Sequence, residues 1–171
     1  MGNWKIGVIS ASDSIARGDR VDDRIPIIRK LTREWLQVDV AIYRAVSDDM
    51  EELKENMIEL VDREKCDLLI VTGGTGLSPR DVTPEVTTWV MDRPVPGLAE
   101  EMRRAGLQQS RRAMLTRAVA GTRGNALIIN LPGNPSGVEI CFNAIGDMLS
   151  DALHILQGTG EANEDWGGLG W

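Results

Sequence analysis

The stretch Thr72-Gly73-Gly74-Thr75-Gly76-Leu77-Ser78-Pro79-Arg80-Asp81-Val82-Thr83-Pro84-Glu85 holds the densest set of residues able to do chemistry. Glycine tolerates positive φ and lets a ligand approach the backbone with no Cβ in the way. Consecutive N–H groups in such a turn form a concave anion-binding nest. Gly73, Gly74, Thr75 and Gly76 are therefore candidate phosphate ligands, with Arg80 as a nearby cation. The loop lacks the Gly-Lys-Ser/Thr ending of a Walker loop and the G-x-G-x-x-G dinucleotide fingerprint. A glycine-rich connector that binds nothing is the plain alternative. The Arg-Asp-Val-Thr-Pro sequence that follows weighs against it, because it adds a cation, a carboxylate and a hydroxyl to one loop.

Asp81 can close an Asx-type turn, or it can hold a Mg²⁺ that bridges nucleotide phosphates through hard oxygen ligands. Asp48, in Val46-Ser47-Asp48-Asp49, has two readings as well. With Glu51 it fits an acidic capping box, and at a strand end it can serve as a metal ligand. Asp13 follows an apolar run and reads as a turn-former. A second motif, Leu131-Pro132-Gly133-Asn134-Pro135-Ser136-Gly137, joins a strand to a helix. Asn134 can cap that helix, and the N–H groups around Pro132, Gly133, Asn134 and Ser136 would make another anion site favoured by the helix dipole.

These loops need elements to position them. Lys5–Ala11 and Asp67–Thr72 are short apolar runs that read as buried strands, and Val38–Val46 reads as a third. Between them, Ile25, Ile28, Leu31, Trp35 and Leu36 recur at helical spacing, as do Leu53, Met57, Leu60 and Val61 within Asp48–Glu64. Strand and helix alternate, which predicts a mostly parallel βαβ sheet. In such sheets ligands bind outside the carboxyl ends of the strands, where both glycine loops would lie. Thr83-Pro84-Glu85 predicts a helix start with Thr83 as the cap and Pro84 at the first helical position. Gly97–Arg112 predicts another helix. Arg117–Ala120 and Asn125–Leu131 predict an antiparallel pair around a turn at Gly121-Thr122-Arg123-Gly124. Asn134-Pro135 opens a last helix running to about Gln157.

Composition narrows the function classes. The 171 residues suffice for one domain with a substantial core. The formal net charge of −7 argues against a broad contact with a nucleic-acid backbone, but a small phosphorylated ligand needs only a few local donors. Cys66 and Cys141 read as buried free thiols. His154 is the only histidine, so zinc chemistry and His-dependent nucleophilic catalysis have little to work with. No secretory signal or membrane-spanning run is visible, and a cytoplasmic location is expected. Residues 158–171 (GTGEANEDWGGLGW) form a Gly/Trp-rich tail, which leaves 1–157 as the domain.

The pairing of TGGTG-x-x-x-RDVTPE with LPGNPSG resembles the molybdopterin adenylyltransferases, the MoaB/Mog family of molybdenum cofactor synthesis. Ser47-Asp48-Asp49, the segment Pro96-Gly97-Leu98-x-Glu100-x-Met102-Arg103 and the segment Ala113–Ala118 match as well. The resemblance covers roughly Lys5–Gln157. It implies an α/β fold of three layers, an αβα sandwich on a mostly parallel sheet with one antiparallel edge strand. It implies adenylylation of molybdopterin with Mg-ATP and release of pyrophosphate, with Mg²⁺ as cofactor and ATP as co-substrate. The family's two acidic positions fall on Asp48 and Asp81, as catalytic residues and metal ligands. Its phosphate loop falls on Gly73–Gly76, and its second contact turn on Pro132–Ser136. It also implies a homo-oligomer, a trimer or a hexamer made of two trimers, with no nucleic acid or membrane partner. A binding paralogue without catalysis, a partner-dependent interaction module and a nucleotide hydrolase that ignores pterin are the competing readings. One departure stands out: many relatives carry Asp-x-Ser-Gly near the start of the first helix, where the corresponding stretch of this chain is Val21-Asp22-Asp23-Arg24-Ile25.

Overall fold

Apolar runs with no polar alternation need cover on both faces, and three of them line up as the centre of one sheet. The computed structural model describes residues 3–159. Along the chain lie β1 (Ile6–Ala11), α1 (Asp13–Ala16), α2 (Ile25–Leu36), β2 (Val40–Val46) and α3 (Met50–Ile58), which continues as a π turn over Glu59–Arg63. Then come β3 (Leu68–Thr72), α4 (Thr83–Val90), β4 (Arg93–Pro94), α5 (Pro96–Gln109) and a 3₁₀ turn at Arg111–Leu115. β5 (Ala120–Arg123), β6 (Ala126–Leu131) and α6 (Pro135–Gln157) complete the described chain. Of the expected tail, residues 160–171 lie outside the described residues.

The strand order is β2-β1-β3-β6-β5-β4. β2, β1, β3 and β6 run parallel, and β5 runs antiparallel to β6. The two-residue β4 pairs antiparallel with β5 and covers its outer side. Alternate side chains divide the core in two. Ile6, Val8, Leu68, Ile70, Leu127 and Ile129 pack with α2, α5 and α6 on one face. Ile9, Ala11, Leu69, Val71, Ala126 and Ile128 pack with α3 and α4 on the other. The expected three layers follow from this period-two division of continuous apolar strands.

Several local expectations shift. The polar stretch after β1 contains the short helix α1, capped by Ser12. Gly121–Arg123 of the expected turn are strand, and the chain reverses at Gly124-Asn125. Gly121 is a close-approach glycine: a Cβ there would lie 2.7 Å from the Arg93 carbonyl oxygen. Arg117–Val119 precedes β5 instead of belonging to it.

Thr83 does not cap α4. It is the first helical residue, after Val82, and no side chain caps this end. The Thr83 N–H donates instead to the Gly74 carbonyl (3.1 Å). A Cβ on Gly74 would come within 2.5 Å of Thr83 Oγ1, so the buried hydroxyl is packed against the glycine loop. The cap of α3 is Asp49, whose carboxylate accepts the Glu52 N–H (2.9 Å). Asp48 is therefore free of the capping role. Asn134 caps α6 as expected, accepting the Gly137 N–H at 2.7 Å.

Candidate active site at the carboxyl edge of the sheet

Because β2, β1, β3 and β6 are parallel and paired Ala11↔Val46, Ser10↔Thr72 and Thr72↔Leu131, their carboxyl ends share one edge. After β1 the chain enters α2 on one face, and after the neighbouring β3 it enters α4 on the other. The crevice between β1 and β3 is thus the switch point of the sheet, where open α/β folds bind ligands. The glycine loop opens directly from β3 into it.

Hydrogen bonding leaves that loop with donors to spare. The Gly73 N–H donates to the Leu131 carbonyl (3.1 Å), and Thr72 Oγ1 donates to the Pro132 carbonyl (2.7 Å), tying the two loops together. Gly73 and Gly74 have φ of 92° and 64°, a left-handed pair suited to glycine. Among the described residues, the N–H groups of Gly74, Thr75 and Gly76 donate to no protein acceptor. The loop's carbonyls, by contrast, are held from behind. Arg117 accounts for most of this: its N–H donates to Thr75 O (2.9 Å), its Nε to Gly76 O (2.7 Å) and its Nη2 to Asp81 O (2.6 Å). Its Nη1 pairs with Glu85. With the carbonyls turned toward Arg117, the amides are left for a ligand.

Asp48, just past the end of β2, and Asp81, in the loop between β3 and α4, interact electrostatically at this crevice. Burial pushes the Asp48 carboxyl above its ordinary value, the Asp81 charge pushes it further, and Arg24 opposes both. Asp48 is fixed by a reciprocal pair: Asp13 N–H donates to Asp48 Oδ2 (3.2 Å) and Asp48 N–H to Asp13 Oδ1 (3.0 Å). Asp81 closes the turn Ser78–Asp81, with its Oδ2 accepting the Ser78 N–H at 2.9 Å. Arg80 is exposed and pairs with Asp13. Pro132, Gly133 and Asn134 form the opposite wall; a Cβ on Gly133 would sit 3.4 Å from Gly73 Cα. Ser136 is exposed in the first turn of α6, where helical N–H groups lack intrahelical partners.

His154 stands near the far end of α6, its ring 4.7 Å from that of Trp4 in an edge-on contact. It has no part in this site. Cys66 and Cys141 are buried free thiols, both raised to about 11 mainly by desolvation. Among the described residues no group of three or more acidic, His or Cys side chains is poised to hold a metal ion. Two carboxylates suit a Mg²⁺ that takes its remaining ligands from water and substrate phosphates.

Sequence reasoning missed two residues here. Arg117 acts over long sequence separations that no local pattern reveals. Arg24 is 1 % exposed and lies beneath both loops. Its signal was visible: Arg24, Ile28 and Leu31 fall at i, i+4 and i+7, which places a cation in the buried stripe of α2.

Residues 7–151 match the family model described as a probable molybdopterin binding domain. The chain belongs to this molybdopterin-binding family. A molybdopterin adenylyltransferase of Helicobacter pylori is 36 % identical over 155 residues, covering 90 % of this chain and 88 % of that one. The crystal structure of the molybdopterin biosynthesis enzyme MoaB from Thermus thermophilus superposes with a TM-score of 0.85 at 42 % identity, covering 91 % of this chain and 97 % of the other. The molybdenum cofactor synthesis protein cinnamon of Drosophila melanogaster is 34 % identical over 150 residues. The match takes in 88 % of this chain and only a quarter (25 %) of that protein's length. Among the described residues, no helix of this family member is long and apolar enough to cross a membrane.

Proposed function

We propose that this protein is a molybdopterin adenylyltransferase of molybdenum cofactor biosynthesis, and that it uses Mg-ATP. The observation that carries the reading is a loop whose Gly74, Thr75 and Gly76 amides find no acceptor among the described residues, with the Asp81 carboxylate against Gly76 and its charge felt by Asp48. The 36 % identity with the H. pylori adenylyltransferase supports it.

In the proposed reaction an oxygen of the molybdopterin phosphate forms a bond to the α-phosphorus of ATP. The bond from that phosphorus to the β-phosphate oxygen breaks, and pyrophosphate leaves with the electron pair. The nucleophile is already anionic at neutral pH, so no side chain has to remove a proton. What the protein must do is hold two polyanions in line and offset their charge. The amides of Gly74–Gly76 orient phosphoryl oxygens at no cost in reorganisation. Pro132–Ser136 forms the second wall. Asp48 and Asp81 would hold Mg²⁺, which when bound screens the phosphates and the leaving group. Burial and the Asp81 charge raise the Asp48 carboxyl, and such a cation would offset both.

Leu77, Trp89, Met114 and Leu115 are exposed, and a homotrimer, which the family resemblance implies, would give such surface a partner. Sedimentation equilibrium tests that state.

The decisive experiment incubates the purified protein with molybdopterin, ATP and Mg²⁺ and detects adenylylated pterin and pyrophosphate by mass spectrometry. Product that requires both substrates is expected. Binding of molybdopterin without product would make this a binding paralogue, and ATP cleavage indifferent to pterin would reassign the substrate. Asp81→Ala should abolish transfer and keep the fold; full rate at saturating Mg²⁺ would remove Asp81 from the metal site.

A further inference from the structure

Arg24 is the most completely buried charge in the described chain, at 1 % exposure. Its Nε donates to Asp22 Oδ1 at 2.9 Å. Asp22 is itself saturated, since its Oδ2 accepts from Ser10 Oγ and from Tyr43 OH (2.9 Å). Desolvation pushes the Asp22 carboxyl up, but the Arg24 and Ser10 hydrogen bonds and the Arg24 charge outweigh it and hold it below the ordinary value. The carboxylate therefore anchors one edge of the guanidinium and has nothing left for the other.

Nη1 faces the two loops. A Cβ on Gly73 would lie 2.7 Å from Arg24 Nη1, and one on Gly133 would lie 3.7 Å from it. Nη2 is buried and has no hydrogen-bond partner among the described residues. A buried cationic N–H without an acceptor is costly, and it persists here at the meeting of two glycine loops, against a strand-end edge that also carries Asp48.

We propose that Arg24 is the floor of the oxyanion site, its guanidinium edge reaching between Gly73 and Gly133 to bind phosphoryl oxygens of the ligand directly. The planar fork suits two oxygens of one phosphate. Asp22, Ser10 and Tyr43 fix the fork from beneath, so the cation is preorganised and cannot leave with salt or solvent. The inference rests on the phosphate-binding reading of this edge, but not on adenylyl transfer taking place. The phosphate can belong to the pterin or to the nucleotide, and kinetics separates the two.

The test uses the full chain with Arg24→Gln and Arg24→Lys, each checked for folding by circular dichroism and melting. Inorganic pyrophosphate is titrated by calorimetry, and KM is measured separately for molybdopterin and ATP. Arg24→Gln should weaken pyrophosphate binding by about tenfold or more and raise one KM far more than it lowers kcat, as expected on losing a charge-assisted bidentate contact. The substrate whose KM rises is the one whose phosphate Arg24 holds. Arg24→Lys keeps the charge without the fork and should fall between. A folded Arg24→Gln with pyrophosphate affinity and both KM values within about twofold of wild type overturns the proposal. If that variant does not fold, unchanged values in Arg24→Lys overturn it equally. Pyrophosphate binding that depends on Arg24 in a protein that makes no adenylylated pterin would sustain this inference while defeating the proposed reaction; product formation indifferent to Arg24 would do the reverse.

Discussion

Replacing Gly76 with alanine should separate chemistry from stability. Gly76 is not among the residues with positive φ, so alanine brings no backbone strain. Among the described residues, a Cβ would meet atoms of Asp81 alone, with Oδ2 at 2.8 Å and Cγ at 3.6 Å. Ordinary contact begins at 3.4 Å, so the carboxylate oxygen must retreat by about 0.6 Å. That motion strains the hydrogen bond from the Ser78 N–H, which lies in an exposed turn. Losing it costs about 1 kcal/mol at most, equivalent to about 2–4 °C in a protein of this size. For the reaction the consequence is larger. A displacement of about 1 Å can cost about 100-fold in rate, so a shift of this size should lower kcat by about tenfold, with a raised Mg²⁺ requirement. The assay is steady-state adenylyl transfer over a Mg²⁺ titration, beside a thermal melt. Wild-type kcat with an unchanged Mg²⁺ curve would mean that the position of the Asp81 carboxylate is irrelevant to the chemistry. Gly73→Ala is the contrasting case. Its φ is 92°, and the Cβ would meet the Ala11 carbonyl oxygen at 2.6 Å, an atom of β1 that cannot swing aside. This variant should lose stability by about 2 kcal/mol or more, so that falling activity is accompanied by a falling melting point.

Two further variants probe the charges. Asp48 has a carboxyl raised by burial and by Asp81. A folded value above the unfolded one means that ionised Asp48 destabilises the fold, fully so above the folded value and not at all below the unfolded value near 3.8. Asp48→Asn should therefore melt higher than wild type at neutral pH, with the gain vanishing as the pH falls toward 3.8, while adenylyl transfer is lost. Scanning calorimetry across pH checks the sign, and a lower melting point at pH 7 would contradict it. Arg117→Ala removes the bonds to the Gly76 and Asp81 carbonyls. It should cost about 2–3 kcal/mol in urea unfolding and raise the KM for the phosphate ligand. Unaltered hydrogen exchange over residues 74–81 would show that the loop holds its shape without Arg117.

The strands were legible because a parallel strand buried on both faces leaves an unbroken apolar run, as in Leu68–Thr72. The loops were legible because glycine at strand ends has few other uses. Asp48 was not resolved in the sequence. A helix cap and a metal ligand both fitted its place after β2, and the structure gives the cap to Asp49. Asp13, on another strand end, holds Asp48 in place and leaves the cap to Asp49. Gly121 was read as a turn residue because the reason for it, the close approach of Arg93, comes from an edge strand only two residues long. Thr83-Pro84 had a helix-start signature, and the helix does start there. What the signature could not show was that the Gly74 carbonyl would take the N–H and leave the hydroxyl buried against the loop.

The charges around the crevice are hard to explain as stabilisation. Asp13, Asp48 and Asp81 gather on the edge of a protein with a net charge of −7, beside a loop proposed to receive further anions. A buried ion pair such as Arg24–Asp22 is a weak source of stability, because desolvation cancels much of the attraction. Asp48, raised by burial and then by the Asp81 charge, is likewise a liability. Each feature becomes economical once a cation and a phosphate are present together. The carboxylates then have a metal to share, the Gly74–Gly76 amides have acceptors, and the unpaired Arg24 Nη2 has an oxygen within the same crevice. A site that loses stability when empty and recovers it when filled should show strong ligand stabilisation. Mg²⁺ and pyrophosphate added together should therefore raise the melting point by more than the sum of their separate effects. Strictly additive shifts would mean that the acidic pair and the glycine loop serve different ligands.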